Sequence, residues 1–133
     1  MPSLPPAKTT ALALCGAGVA LHLYTALFKA ERLADPAGQA FMVGLVLVSC
    51  LPYAIAAVLA RGRRVVWGLG AAAACLAGDM FMHHSVFIAP KGSTAAIGLL
   101  FMPFYNLLLI GPAGAVLFWL AAKLMARRPG KGG

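Results

Sequence analysis

Residues 65–89 read V-V-W-G-L-G-A-A-A-A-C-L-A-G-D-M-F-M-H-H-S-V-F-I-A, a run of 25 residues that carries no Lys or Arg. A helix of that length extends about 38 Å, enough to cross a hydrocarbon core of about 30 Å. Apolar runs of about 18 residues or more read as transmembrane helices. Inside this one sit an acid and two histidines, Asp79, His83 and His84. Polar groups are costly in such a helix, so they demand a reason.

Working outward, three more runs give the same reading. They cover about residues 10–28, 40–60 and 95–122. Composition agrees: 62% of the chain is hydrophobic and its mean hydropathy is +0.88, against about 45–50% apolar for a soluble domain. The expected fold class is all-α: a polytopic membrane protein with four transmembrane helices in one bundle, a single domain over residues 1–133. Lys8 and the first run resemble the opening of a signal peptide. The run is of full spanning length and three more follow, so it is expected to stay as the first helix.

The connections are short. Residues 1–9, with Pro2, Pro5 and Pro6, read as an irregular arm. In the first loop, residues 29–39, Asp35-Pro36 and Gly38 mark a turn. Arg61, Gly62, Arg63 and Arg64 form a tight basic turn. Residues 90–94 form another, with Ser93 or Thr94 suited to cap the next helix. Pro103 and Pro112 are expected to kink the fourth run, and the tail, residues 123–133, to fray.

Four crossings put Lys8, Arg61, Arg63, Arg64, Lys123, Arg127, Arg128 and Lys131 on one side, and Lys29, Arg32 and Lys91 on the other. The positive-inside rule then makes both termini cytoplasmic. The expected location is the cell membrane, multi-pass, of the bacterial inner-membrane type. The net charge of +8 is thereby explained by topology, and no nucleic-acid partner is expected. The expected partners are the lipid bilayer, anionic lipid at the cytoplasmic basic residues, and a second copy or another membrane protein. Cys15, Cys50 and Cys75 all fall inside apolar runs without a C-x-x-C pair, and read as small buried hydrophobes rather than a disulfide framework.

Helical periodicity selects the inward faces. In the first run Ala11, Cys15, Gly18, His22, Ala26 and Lys29 share a stripe. In the third, Gly68, Ala72, Cys75, Asp79 and His83 do. Small residues let membrane helices approach closely, so both stripes should face the bundle. Asp79 and His83, four apart, can touch, while His84 points away. Counting from the outer ends, His22 and His83 lie about 10 Å deep and Asp79, Ser49 and Asn106 about 15 Å deep. The expected site is therefore a buried polar cluster of His22, Ser49, Asp79, His83 and Asn106.

Three functions compete for that cluster. It can fix helix register by hydrogen bonding, in a non-enzymatic membrane protein that serves as an accessory, assembly or interaction unit; this is the expected function. It can handle protons or cations in a conducting oligomer through Asp79 and His83. Or His22 and His83 can hold haem or a metal, with Met80, Met82 and Met102 as soft neighbours. No phosphate loop, G-x-S-x-G or H-E-x-x-H is present, so no enzyme, resident metal or cofactor is expected.

Overall fold

The computed structural model describes residues 6–29, 35–88 and 95–127. Every regular element among them is helical. α1 covers Pro6–Tyr24 and runs into a π turn at Thr25–Lys29. α2 covers Pro36–Arg61. α3, Val65–His83, continues as a π turn at His84–Ile88. α4, Ala95–Tyr105, and α5, Gly111–Ala126, are joined by a third π turn, Asn106–Ile110, into one long rod. Among the described residues four helices are long and apolar enough to cross a membrane: Pro6–Phe28, Pro36–Arg61, Val65–Ile88 and Ile97–Ala126.

The helix ends differ from the sequence expectation in three places. Pro6 opens α1 instead of belonging to an irregular arm. A first-turn proline lacks only a donor that would be unpaired anyway, and its φ is already helical. Asp35-Pro36 is likewise a helix start and not a loop turn: the Asp35 carboxylate accepts from the Gly38 N–H at 2.7 Å, with Pro36 in the first turn. At the far end α5 continues to Ala126, past the expected limit of residue 122. Lys123 lies over the Trp119 ring one turn back, 4.7 Å from its centroid, which fastens that last stretch. The 90–94 turn, the Ser93 or Thr94 cap and the end of the tail lie outside the described residues.

α3 is the axis of the molecule and packs against α1, α2 and α5. The core around it is built of small side chains, among them Cys15, Ala56, Ala71, Ala72, Cys75 and Ala115, with Tyr53 as the one large member. Small residues bring backbones together. A Cβ placed on Gly70 would stand 2.3 Å from the carbonyl oxygen of Gly114. Only glycine permits that α3–α5 approach. The expected stripes on α1 and α3 are the buried ones: Ala11, Cys15, Gly18 and His22 on the first, and Gly68, Ala72, Cys75, Asp79 and His83 on the third. Ala26 is half-buried, and the Lys29 side chain is outside the described set.

Pro52 and Pro103 are buried within helices. Pro112 opens α5 directly after the third π turn, where the Gly111 N–H bonds the Asn106 carbonyl, five residues back. The rod widens its hydrogen-bond ladder at the point where proline removes a donor.

Candidate functional site

Asp79 has no exposed surface and receives one side-chain donor from each of the other three long helices. His22 on α1 places Nε2 2.9 Å from Oδ2. The Tyr53 hydroxyl on α2 donates to the same oxygen. Asn106, at the head of the third π turn, donates through Nδ2 to Oδ1 at 2.7 Å. A buried carboxylate without donors would be prohibitively costly. Here it is the acceptor around which the bundle closes.

His83 takes a different part from the one its spacing implies. Its ring does not bond the Asp79 carboxylate four residues earlier. Nδ1 meets the Asp79 backbone carbonyl at 2.7 Å, and Nε2 meets the Thr25 hydroxyl at 2.8 Å. A carbonyl only accepts, so Nδ1 carries a proton. Thr25 Oγ1 also lies 2.9 Å from the Leu21 carbonyl. It has a single proton. Donated to Leu21, it requires His83 Nε2 to be protonated as well; turned toward His83, it leaves that ring neutral. The His22 and His83 rings meet edge-on, centroids 5.8 Å apart.

The expected cluster is thus distributed unevenly. His22, Asp79 and Asn106 form the node, and His83 braces it through the backbone and Thr25. Ser49 is buried but makes no hydrogen bond to Asp79. It lines a cavity of about 50 Å³ with His22, Thr25 and His83, large enough for water. The α2 donor is instead Tyr53, one turn further on. Side chains lean toward their helix N-terminus, so Tyr53 reaches back from below into the Asp79 layer. Its ring fills the space over Gly18, where a Cβ would stand 2.2 Å from two ring carbons.

Tyr53 and Thr25 are the two site residues the sequence reading missed. A signal existed for Tyr53: Ser49, Pro52, Tyr53, Ala56 and Ala60 share the buried face of α2. Thr25 has a weaker one, because the first π turn begins at that residue and the plain helical stripe runs on to Ala26. Each of the three π turns begins at or directly after a residue of this network: Thr25, His83 and Asn106. Local π geometry often marks functional positions. The exposed His84 takes no part.

Among the described residues no three His, Cys, Asp or Glu side chains are gathered around one point. Rings 5.8 Å apart and edge-on leave no gap for a macrocycle between His22 and His83. The three cysteines are free, and the Cys75 thiol donates to the Asn106 carbonyl at 3.7 Å, at the third π turn. Comparison with known proteins found no matching family model, no matching curated protein and no matching solved structure.

Proposed function

We propose that this chain is a small, non-enzymatic integral membrane protein, multi-pass in a bacterial-type inner membrane with both termini cytoplasmic. It acts as an accessory, assembly or interaction unit, and its Asp79 node fixes how the four helices pack. The observation that carries the reading is the engagement of both Asp79 carboxylate oxygens by donors from the other three helices. A group so occupied is an organiser of structure rather than a free acid or base. The basic residues at the shared end of the bundle, Arg61, Arg63, Arg64, Lys123 and Arg127 among them, support the orientation. The large apolar side chains exposed along all four helices support a lipid surround and room for membrane partners or a second copy.

A second reading has one observation in its favour. The Thr25–His83 pair has two proton arrangements and borders a water-sized cavity, which is the local geometry of a proton relay. Against it stands the other half of the bundle, where the core consists of alanines, Cys15 and Cys75. Among the described residues no buried polar side chain continues the cluster through it. The test is proton flux in liposomes carrying the purified protein. Flux no greater than in empty liposomes is expected, for the native chain and for Asp79→Asn alike. Flux in the native protein that disappears in Asp79→Asn would replace the structural reading with a conducting one.

A further inference from the structure

An apolar groove of about 250 Å³ opens on the outside of the bundle between α2 and the fourth helix, with α3 as its floor. Pro52, Ile55 and Leu59 form one wall, Val116 stands on the other, and Trp67 and Ala71 lie beneath. Asn106 and Cys75 close the deep end, within reach of the polar node. From Trp67 to Cys75 the floor extends about 12 Å along α3. The groove therefore runs from mid-bundle to the end where α2 turns into α3.

That end is strongly basic. Arg61, Arg63 and Arg64 are exposed in the turn directly beyond Leu59. Trp67 packs at a tilt of 40° against Trp119, ring centroids 5.7 Å apart, and Lys123 sits over Trp119 at 4.7 Å. This chain of contacts links the Lys123 ammonium, through Trp119, to Trp67 of the groove lining. The only acids in the chain are Glu31, Asp35 and Asp79; Asp35 caps α2 at the end of that helix away from Leu59, Glu31 stands four residues before it in the sequence, and Asp79 is buried in the node. The mouth is thus cationic and its interior apolar.

We propose that the groove is a binding site for one anionic phospholipid, with an acyl chain against α3 and the phosphate among Arg61, Arg64 and Lys123. A chain of methylenes fits an elongated apolar slot. A headgroup phosphate matches guanidinium and ammonium donors. Trp67 and Trp119 occupy the headgroup boundary, where indole rings prefer to lie. The proposal rests on the membrane reading above, and deepens it from general contact with lipid to a defined site.

The chain's two tryptophans both stand at the mouth, so their fluorescence reports occupancy. The protein is reconstituted in bilayers of neutral phosphatidylcholine containing a small fraction of phosphatidylglycerol, with one or the other lipid brominated in its upper acyl chain. Brominated phosphatidylglycerol is expected to quench as if enriched about fivefold or more over its bulk fraction, the scale of one basic contact at a membrane surface. The enrichment should fall toward the bulk value in Arg64→Gln/Lys123→Gln, and also in Val116→Phe, which fills the half-exposed wall without touching the buried core. Equal quenching by the two lipids at equal fractions overturns the site, whether neutral lipid fills the groove or a second copy seals it. Enrichment that survives Val116→Phe but not the charge change overturns the groove and leaves a headgroup contact alone. No quenching by either lipid would overturn the membrane reading itself.

Discussion

Asp79 shows how one ionisable residue can be kept inside an apolar helix. Each carboxylate oxygen has a donor, and those donors come from three separate helices. In membrane proteins a single interhelical hydrogen bond is worth about 0.6 kcal/mol on average and seldom more than about 1.7. Tyr53→Phe, which removes one donor and keeps the ring over Gly18, should therefore destabilise the bundle by about 0.5–1.7 kcal/mol. Ser49→Ala, one turn away on the same face, should cost less, because Ser49 makes no bond to the carboxylate. Unfolding in detergent micelles compares the two; a Ser49→Ala loss as large as that of Tyr53→Phe would misassign the α2 donor. Helix face and depth singled out His22 and Asp79 from the sequence, since polar side chains on a small-residue stripe have one place to go; Asn106 was placed by depth alone. The partner on α2 was not legible from depth alone. A tyrosine acts about one turn away from its own Cα, so the residue at the right depth was Ser49 and the residue at the right reach was Tyr53.

Among the elements, α3 carries the architecture because the buried face of its first half consists of glycine and alanine. Gly68, Gly70, Ala71 and Ala72 let neighbours close in, and Gly70 meets the backbone of Gly114 directly. Adding one methyl there forces two helix backbones apart. Gly70→Ala should cost about 1–3 kcal/mol, the usual penalty for overpacking. Gly16 has nothing within 4 Å of an added Cβ, so Gly16→Ala should be neutral or gain up to about 1 kcal/mol from helix propensity. Thermal denaturation of both variants in the same detergent decides the point, and equal effects would contradict the packing. The existence and number of the helices were readable from hydropathy, and the inward faces of α1 and α3 from their 3.6-residue period. Their ends were not. Pro6 and Asp35-Pro36 look like loop residues in a string, and become helix starts once a first turn needs a capping acceptor or a residue with no N–H to satisfy. The π turns were likewise hidden, because one extra residue in a turn leaves no mark on composition.

For the whole molecule, the proposed membrane setting would supply little hydrophobic drive to hold apolar helices to one another. The bundle relies on close backbone packing around α3 and on the node that joins all four helices at one carboxylate. The two parts lie at different levels: small-residue packing in the half nearest the basic turn, polar bonding in the other. The node is expected to act as a unit through Asp79. The direct measurement is a double-mutant cycle on unfolding free energy in detergent micelles, with Asp79→Leu, Asn106→Leu and Tyr53→Phe taken singly and in pairs. Asp79→Leu should cost more than either partner change alone. Once Asp79 is gone, removing Asn106 or Tyr53 should add little further loss, giving a coupling of about 0.5–3 kcal/mol for each pair. Costs that simply add, with no coupling between Asp79 and either partner, would contradict the claim.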